Sequence, residues 1–198
     1  GETMKLRTLF IAGLSTFAAF ASADTFLVNL DVSGPERWDE IYDSDNFDFV
    51  GDVGSLFPGY TDSVMTGIGW DNVNIETVGA SWLSEATFSF ESFSGGDWLD
   101  VNPGVDDDNS GNATYSSGGL LDLASIDPEL PLILDSDNLL YFHIYEAFDD
   151  NPDAVDAFIH SGTFTLQFEA TAAPVPEPAS MLALGLGAVA LLRKRSKK

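Results

Sequence analysis

The run Thr163-Phe-Thr-Leu-Gln-Phe-Glu-Ala170 alternates without a break, with Phe164, Leu166, Phe168 and Ala170 on one side and Thr163, Thr165, Gln167 and Glu169 on the other. A period of two marks a strand with one buried face and excludes an amphipathic helix over the same residues. Ala86-Thr-Phe-Ser-Phe-Glu91 repeats the pattern with Ala86, Phe88 and Phe90 inward, and Phe26, Val28, Leu30 and Val32 line one side of an earlier segment. Leu139-Leu-Tyr-Phe-His-Ile-Tyr145 is apolar on both sides, which predicts a central strand covered on each face. Clusters such as Val101-Asn-Pro-Gly104 and Asp127-Pro128 separate these runs and supply turn chemistry. Short strands joined by polar loops predict an all-β chain, an antiparallel, jelly-roll-like β-sandwich.

Both ends break the pattern. Pro176-Glu177-Pro178 precedes an uncharged run of 14 residues, Ala179 to Leu192, which is followed by Arg193, Lys194, Arg195, Lys197 and Lys198. A helix of that length falls short of the roughly 20 residues that cross a bilayer, and the basic end stays on the cytoplasmic side. This order and spacing resemble the PEP-CTERM sorting signal of Gram-negative bacteria, which the membrane enzyme exosortase reads. The resemblance implies transient anchoring in the inner membrane, removal of the tail near Pro176-Glu177-Pro178, and release of the body to the outer surface or to the extracellular matrix of a biofilm. A plain C-terminal transmembrane helix is the alternative.

At the other end Met4 is followed by Lys5 and Arg7, an apolar stretch from Leu9 to Phe20, and Ala21-Ser-Ala23. Charged, apolar and small residues in that order predict a secretory signal peptide cut after Ala23, with Ala21 and Ala23 as the small residues at the cleavage site. Gly1-Glu2-Thr3 stand ahead of Met4 and read as a remnant outside the signal. The expected organisation is a signal helix over 1–23, one sandwich domain over 24–170, a linker over 171–176 and the sorting signal over 174–198.

Charge narrows the function classes. Of the 32 acidic residues only Glu2 and Glu177 lie outside Asp24 to Ala173, and of the 8 basic ones only Arg37 lies inside, so the body carries a net charge of −29. A surface without lysine repels nucleic acid and anionic lipid headgroups, because both are bound by neutralising phosphates with Lys and Arg. It attracts divalent cations, and its self-repulsion is relieved by salt or bound metal. The chain has no cysteine, so stability outside the cell has to come from the core, from ions, or from both.

Oxygen-rich loops are the candidate metal sites. Asp106-Asp-Asp-Asn-Ser-Gly-Asn112 sets Asp106, Asp108 and Ser110 at alternate positions ahead of Gly111, like the first half of an EF-hand loop. The twelfth position of such a loop is Ser117 rather than a bidentate Glu, so only a calcium site of another geometry remains, against a solvated acidic turn. The segment after Tyr145 offers Glu146, Asp149, Asp150, Asp153 and Asp156, carboxylates dense enough to repel one another unless a cation or water separates them. Asp43-Ser-Asp-Asn46 is a third, sparser set. Hard oxygen donors without Cys point to calcium as the cofactor.

Catalytic patterns are thin. His143 falls in an apolar strand, where a satisfied structural histidine is the ordinary reading, and His160 precedes Ser161-Gly162, which reads as a turn. No Gly-x-Ser-x-Gly elbow supports a Ser-His-Asp arrangement. With 30 acids in the body, some pair always has a glycosidase-like separation, so that signal carries no information.

Aromatic residues are the better lead. Trp38, Trp70, Trp82, Trp98, Tyr60 and Tyr115 lie in or beside polar segments, where exposed rings stack on sugars while Asp and Asn bind hydroxyls. Trp70 and Trp82 are expected in the core; Trp98, in the loop Ser94-Gly-Gly-Asp-Trp98, is the ligand-binding candidate if its ring is exposed. Gly67-Ile-Gly-Trp-Asp71, Thr77-Val-Gly-Ala-Ser-Trp-Leu-Ser-Glu-Ala86, Tyr115-Ser-Ser-Gly-Gly119 and Tyr145-Glu-Ala-Phe-Asp-Asp-Asn151 resemble segments of small exported proteins that carry the same kind of tail. The body also resembles galactose-binding-type jelly rolls, a fold that hosts glycan-binding modules and non-binding spacers. The expected function is a non-catalytic structural or adhesive matrix protein, processed by exosortase and in contact with extracellular polysaccharide. A calcium-dependent lectin is the alternative and a secreted hydrolase the third reading.

Overall fold

Alternating runs separated by glycine- and aspartate-rich breaks become eleven strands in the computed structural model, which describes residues 23–33, 36–41, 43–44, 46, 48–92, 96–134, 137–148, 150 and 155–173. The strands are β1 (Ala23–Asp31), β2 (Glu36–Trp38), β3 (Asp48–Asp52), β4 (Tyr60–Thr77), β5 (Ala86–Ser92), β6 (Trp98–Val101), β7 (Asn112–Tyr115), β8 (Leu121–Asp122), β9 (Leu132–Ile133), β10 (Leu139–Glu146) and β11 (Ala157–Ala172). Two single-turn helices, α1 (Val53–Leu56) and α2 (Leu123–Ile126), and a 3-10 turn at Leu83–Glu85 join them.

Two antiparallel sheets result. The first runs β1-β11-β4-β7, with β2 beside β11 and with β8 and β9 beside β4; the second runs β3-β10-β5-β6. The sandwich expected from the alternation is therefore present. The signal helix and the C-terminal apolar helix fall outside the described residues.

The inward parity of the strands makes the core. Phe164, Leu166, Phe168 and Ala170 of β11 are all buried, as are Ala86, Phe88 and Phe90 of β5. Phe164 meets the second sheet directly, with ring centroids 4.9 Å from Phe88, 5.6 Å from Phe90 and 6.2 Å from Phe142. Val32 is buried, while Phe26, Val28 and Leu30 pack against the core from the edge strand β1 and keep part of their surface exposed.

Three local expectations need correction. β10 is central, between β3 and β5, yet only one of its faces is closed: Leu140, Phe142, Ile144 and Glu146 are buried while Leu139, Tyr141, His143 and Tyr145 are half-buried. Conversely, β5 is covered on both faces, because Thr87 and Ser89 are buried too and Asn102 Nδ2 donates to Thr87 Oγ1 at 2.9 Å. The linker was placed from residue 171, but β11 continues through Thr171 and Ala172, pairing Thr171 with Ala23. The same pairing puts Ala23 inside β1, so a cut after it removes only the first residue of that strand.

The Gly67-Ile-Gly-Trp-Asp71 segment has a packing explanation. Residues 116–122 lie across β4 here, and a Cβ on Gly69 would come within 2.8 Å of the Gly119 carbonyl oxygen. Ser117 locks the crossing: its amide donates to the Trp70 carbonyl at 2.9 Å and its hydroxyl accepts from the Trp70 amide at 2.9 Å. Gly69→Ala is expected to cost about 1–3 kcal/mol by forcing backbone apart. Gly96→Ala, where nothing lies within 4 Å of the added carbon, should stay within about 0.5 kcal/mol of the parent. Equal denaturation midpoints for the two variants would contradict the crossing.

Candidate functional site

Burial of Phe142, Phe90 and Leu99 forces their strand neighbours outward, and these gather on the outer face of the second sheet. Tyr141 pairs with Glu91 and Glu91 with Trp98, so the three form one row across β10, β5 and β6. In the next row His143 lies opposite Asp48 on one side and Ser89 on the other, and Ser89 opposite Asp100. Tyr145 follows on β10.

His143 organises this surface. Its Nε2 lies 2.9 Å from Glu91 Oε1 and its Nδ1 3.8 Å from Asp48 Oδ1, while its ring stands edge-on to Tyr141 and Tyr145 with centroids 5.3 and 5.8 Å away. The Tyr145 hydroxyl donates to Asp100 Oδ2 at 3.4 Å. Burial first, and then the Asp48 charge, raise Tyr141 above the usual phenol range, so its hydroxyl stays a hydrogen-bond donor. The segment around Asp43, Ser44 and Asn46 rises beside these rings and closes a cleft of about 360 Å³ over Tyr141, His143 and Tyr145.

Trp98 ends the first row, with 66% of its surface exposed. A second hollow of about 280 Å³, lined by Asp97, Glu129 and Pro131 among others, opens beside it. Flat rings bordered by carboxylates set apolar faces beside hydrogen-bond acceptors on this surface.

The other tryptophans behave differently. Trp38 is 1% exposed and packs edge-on to Phe88, so it is core rather than a loop ring. Trp70 is half-buried against Phe164. Trp82, expected in the core, is 46% exposed, because it precedes the 3-10 turn and only its neighbour Leu83 turns inward. Tyr60 and Tyr115 give their hydroxyls to Asp24 at 2.6 Å and Asp107 at 2.7 Å, and so fasten segments together.

A second constellation lies at the end of the sandwich where β10 stops and β11 starts. Glu146 continues the inward parity of Leu140, Phe142 and Ile144, which places a carboxyl where the strand otherwise buries hydrocarbon. It is 2% exposed, and neither of its oxygens has a hydrogen-bond donor. Pairing of Glu146 with Ala86 brings Glu85 alongside, and the Ala147 amide donates to the Glu85 carbonyl at 3.0 Å.

Carboxylate oxygens of Glu85, Glu146 and Asp150 all lie within 4.8 Å of one another. Asp156, wholly buried, stands next to Glu146 and accepts from Ser81 Oγ at 3.1 Å. Burial first, and then the adjacent Asp156 carboxyl, raise the Glu146 carboxyl far above the usual carboxylate range.

The acidic loops expected from sequence divide accordingly. Asp150, Glu146 and Asp156 come together, and Glu85 joins them from a segment the sequence reading did not connect. Asp149 and Asp153 lie outside the described residues. Among the described residues Asp106 and Asp108 belong to no group of three carboxylates: Asp108 accepts from Ser84 Oγ at 2.9 Å, Asp106 turns the chain with φ 68°, and Ser110 is exposed. Asp43 and Asn46 instead line the aromatic cleft.

Neither histidine is arranged as a general base for a serine. His143 Nε2 faces Glu91, and His160 Nε2 lies 2.6 Å from Glu76 Oε2. His160 also sits within β11 rather than before a turn, since the strand continues through Ser161 and Gly162 with shifts in its pairing to β4.

Comparison with known proteins agrees with the tail. A family model described as the PEP-CTERM protein-sorting motif matches residues 174–196, covering Pro176, Glu177 and Pro178. No curated protein matches the chain. Among solved structures, the VP2 subviral particle of infectious bursal disease virus is 11% identical over 83% of this chain and 37% of that one, with a TM-score of 0.33. The Gt strain of the same virus is 10% identical over 96% and 53%, with a TM-score of 0.34. Desmodium yellow mottle tymovirus is 9% identical over 90% and 99%, with a TM-score of 0.27. The chain thus spans between a third and just over half of the two bursal disease virus proteins, and superpositions this loose carry no argument. Among the described residues no helix is long and apolar enough to cross a membrane. The run from Ala179 to Leu192 and the signal residues Ala21 and Ser22 lie outside them. The sorting motif makes this an exported, surface-directed protein handled by exosortase.

Proposed function

We propose that the body is a non-catalytic component of the outer surface or extracellular matrix of a Gram-negative bacterium, adhering to extracellular polysaccharide through the outer face of its second sheet. The observation that carries this reading is the outward row Tyr141, Glu91 and Trp98 beside the cleft over His143 and Tyr145. Stacking on an exposed ring is worth roughly 0.5–1.5 kcal/mol beyond the area buried, so a few rings give weak binding that many copies in a matrix add together. Pairing of both histidines with glutamates supports a non-enzymatic role. Before processing, the short apolar tail holds the chain at the inner membrane.

A glycan array probed with the exported chain, in calcium and in chelator, tests this. Binding is expected to bacterial polysaccharides and to fall about tenfold with Trp98→Ala or Tyr141→Ala. Loss in chelator together with loss in Trp98→Ala favours the lectin alternative. A blank array in both buffers removes the adhesive role and leaves a structural one.

A further inference from the structure

We propose that Glu85, Glu146 and Asp150, backed by Asp156, form a divalent cation site of the calcium class at the end of the sandwich where β10 stops and β11 starts. It stands apart from the sugar-binding reading and needs none of the residues on the aromatic face. Two independent observations meet here. One carboxylate oxygen each from Glu85, at the head of β5, and from Glu146 and Asp150, at and just beyond the end of β10, converge within 4.8 Å, and Glu146, 2% exposed, has no hydrogen-bond partner on either of its oxygens.

Hydrogen bonding alone does not balance the cluster. A proton on Glu146 satisfies one oxygen against Asp156, yet it leaves Glu85 and Asp150 as neighbouring negative charges. One doubly charged ion at the centre meets all of them at once. The donors are all carboxylate oxygens, with neither His nor Cys in the group, so a hard ion fits and zinc or copper does not.

Calcium fits better than magnesium. Glu85 and Asp150 are half-buried, leaving an open side for waters to complete the six to eight ligands that calcium takes. Magnesium, by contrast, demands a tight octahedron at short distances. Extracellular calcium modules bind at about 10⁻⁴ to 10⁻³ M, an affinity that fills after export. The ion would fasten β5 to β10 and to the segment leading into β11.

Calorimetric titration of the exported chain with calcium chloride is the test, paired with melting in millimolar calcium and in chelator at matched ionic strength. One site stronger than the diffuse surface binding is expected, with Tm higher in calcium by about 5–10 °C at saturation. Glu146→Gln should abolish both, while melting no lower than the parent in chelator, because the amide keeps the shape and neutrality of the buried, protonated carboxyl. If that variant does not fold, Asp150→Asn at the half-buried rim should weaken the site about tenfold or more. Asp108→Asn, in the loop held by Ser84, should leave both readouts unchanged. Identical melting of the parent in the two buffers overturns the proposal, as does a full calcium gain in both Glu146→Gln and Asp150→Asn.

Discussion

A neutral reporter fused ahead of residues 174–198 is expected to be cut in a host that has exosortase and to stay full length in one that lacks it. Fourteen apolar residues, even if all helical, would span only about 21 Å, short of the roughly 30 Å hydrocarbon core, so the run is too short to be a full membrane anchor. Five basic residues follow it, and positive charge there favours a cytoplasmic end, an orientation that would present Pro176-Glu177-Pro178 on the exported side. Replacing those three residues with alanine should abolish cutting outright. A fusion that remains uncut in both hosts would refute the sorting role.

The fold is built to survive that cut. β11 ends at Ala172, and the Ala173 amide donates to the Gly59 carbonyl at 2.8 Å, so cleavage near Pro176 leaves every described strand whole. Because Ala23 pairs with Thr171, the start of β1 and the end of β11 lie at one corner of the first sheet. The carboxylate cluster lies at the far end of β11, beyond Ala157.

How much of this was readable in the chain depended on parity. Wherever a run was long enough to define two faces, as at Phe164 to Ala170, the buried side followed. Glu146 was readable by the same rule, since it occupies the inward position after Leu140, Phe142 and Ile144. Glu85 was not, because only the antiparallel register of β5 against β10 carries it there from far upstream. Thr87 and Ser89 misled for a related reason: a polar residue at an outward position is buried when a neighbouring segment such as that of Asn102 covers it and completes its hydrogen bonds. The tryptophans were the hardest to place. β6 has only four residues, too few to show that Leu99 and Val101 point in and Trp98 out, and Trp82 lies where the chain has no regular parity at all.

Phe164→Ala is expected to be the most damaging single substitution in the sandwich, costing about 3–5 kcal/mol. The ring is fully buried and meets Phe88, Phe90 and Phe142 of the opposite sheet as well as Trp70 of its own, so its loss opens a cavity where the two layers touch. At roughly 2–4 °C per kcal/mol for a domain of this size, Tm should fall by about 6–20 °C. The chain has no cysteine that could staple the two sheets against such a loss, and its charge of −24 favours expansion. Phe164→Leu keeps most of the volume and should cost less than about 1.5 kcal/mol, and Phe148→Ala, at an exposed position, less than about 0.5 kcal/mol. Denaturant unfolding of the three variants decides it: if Phe164→Ala and Phe148→Ala unfold at the same midpoint, the two sheets do not meet at Phe164.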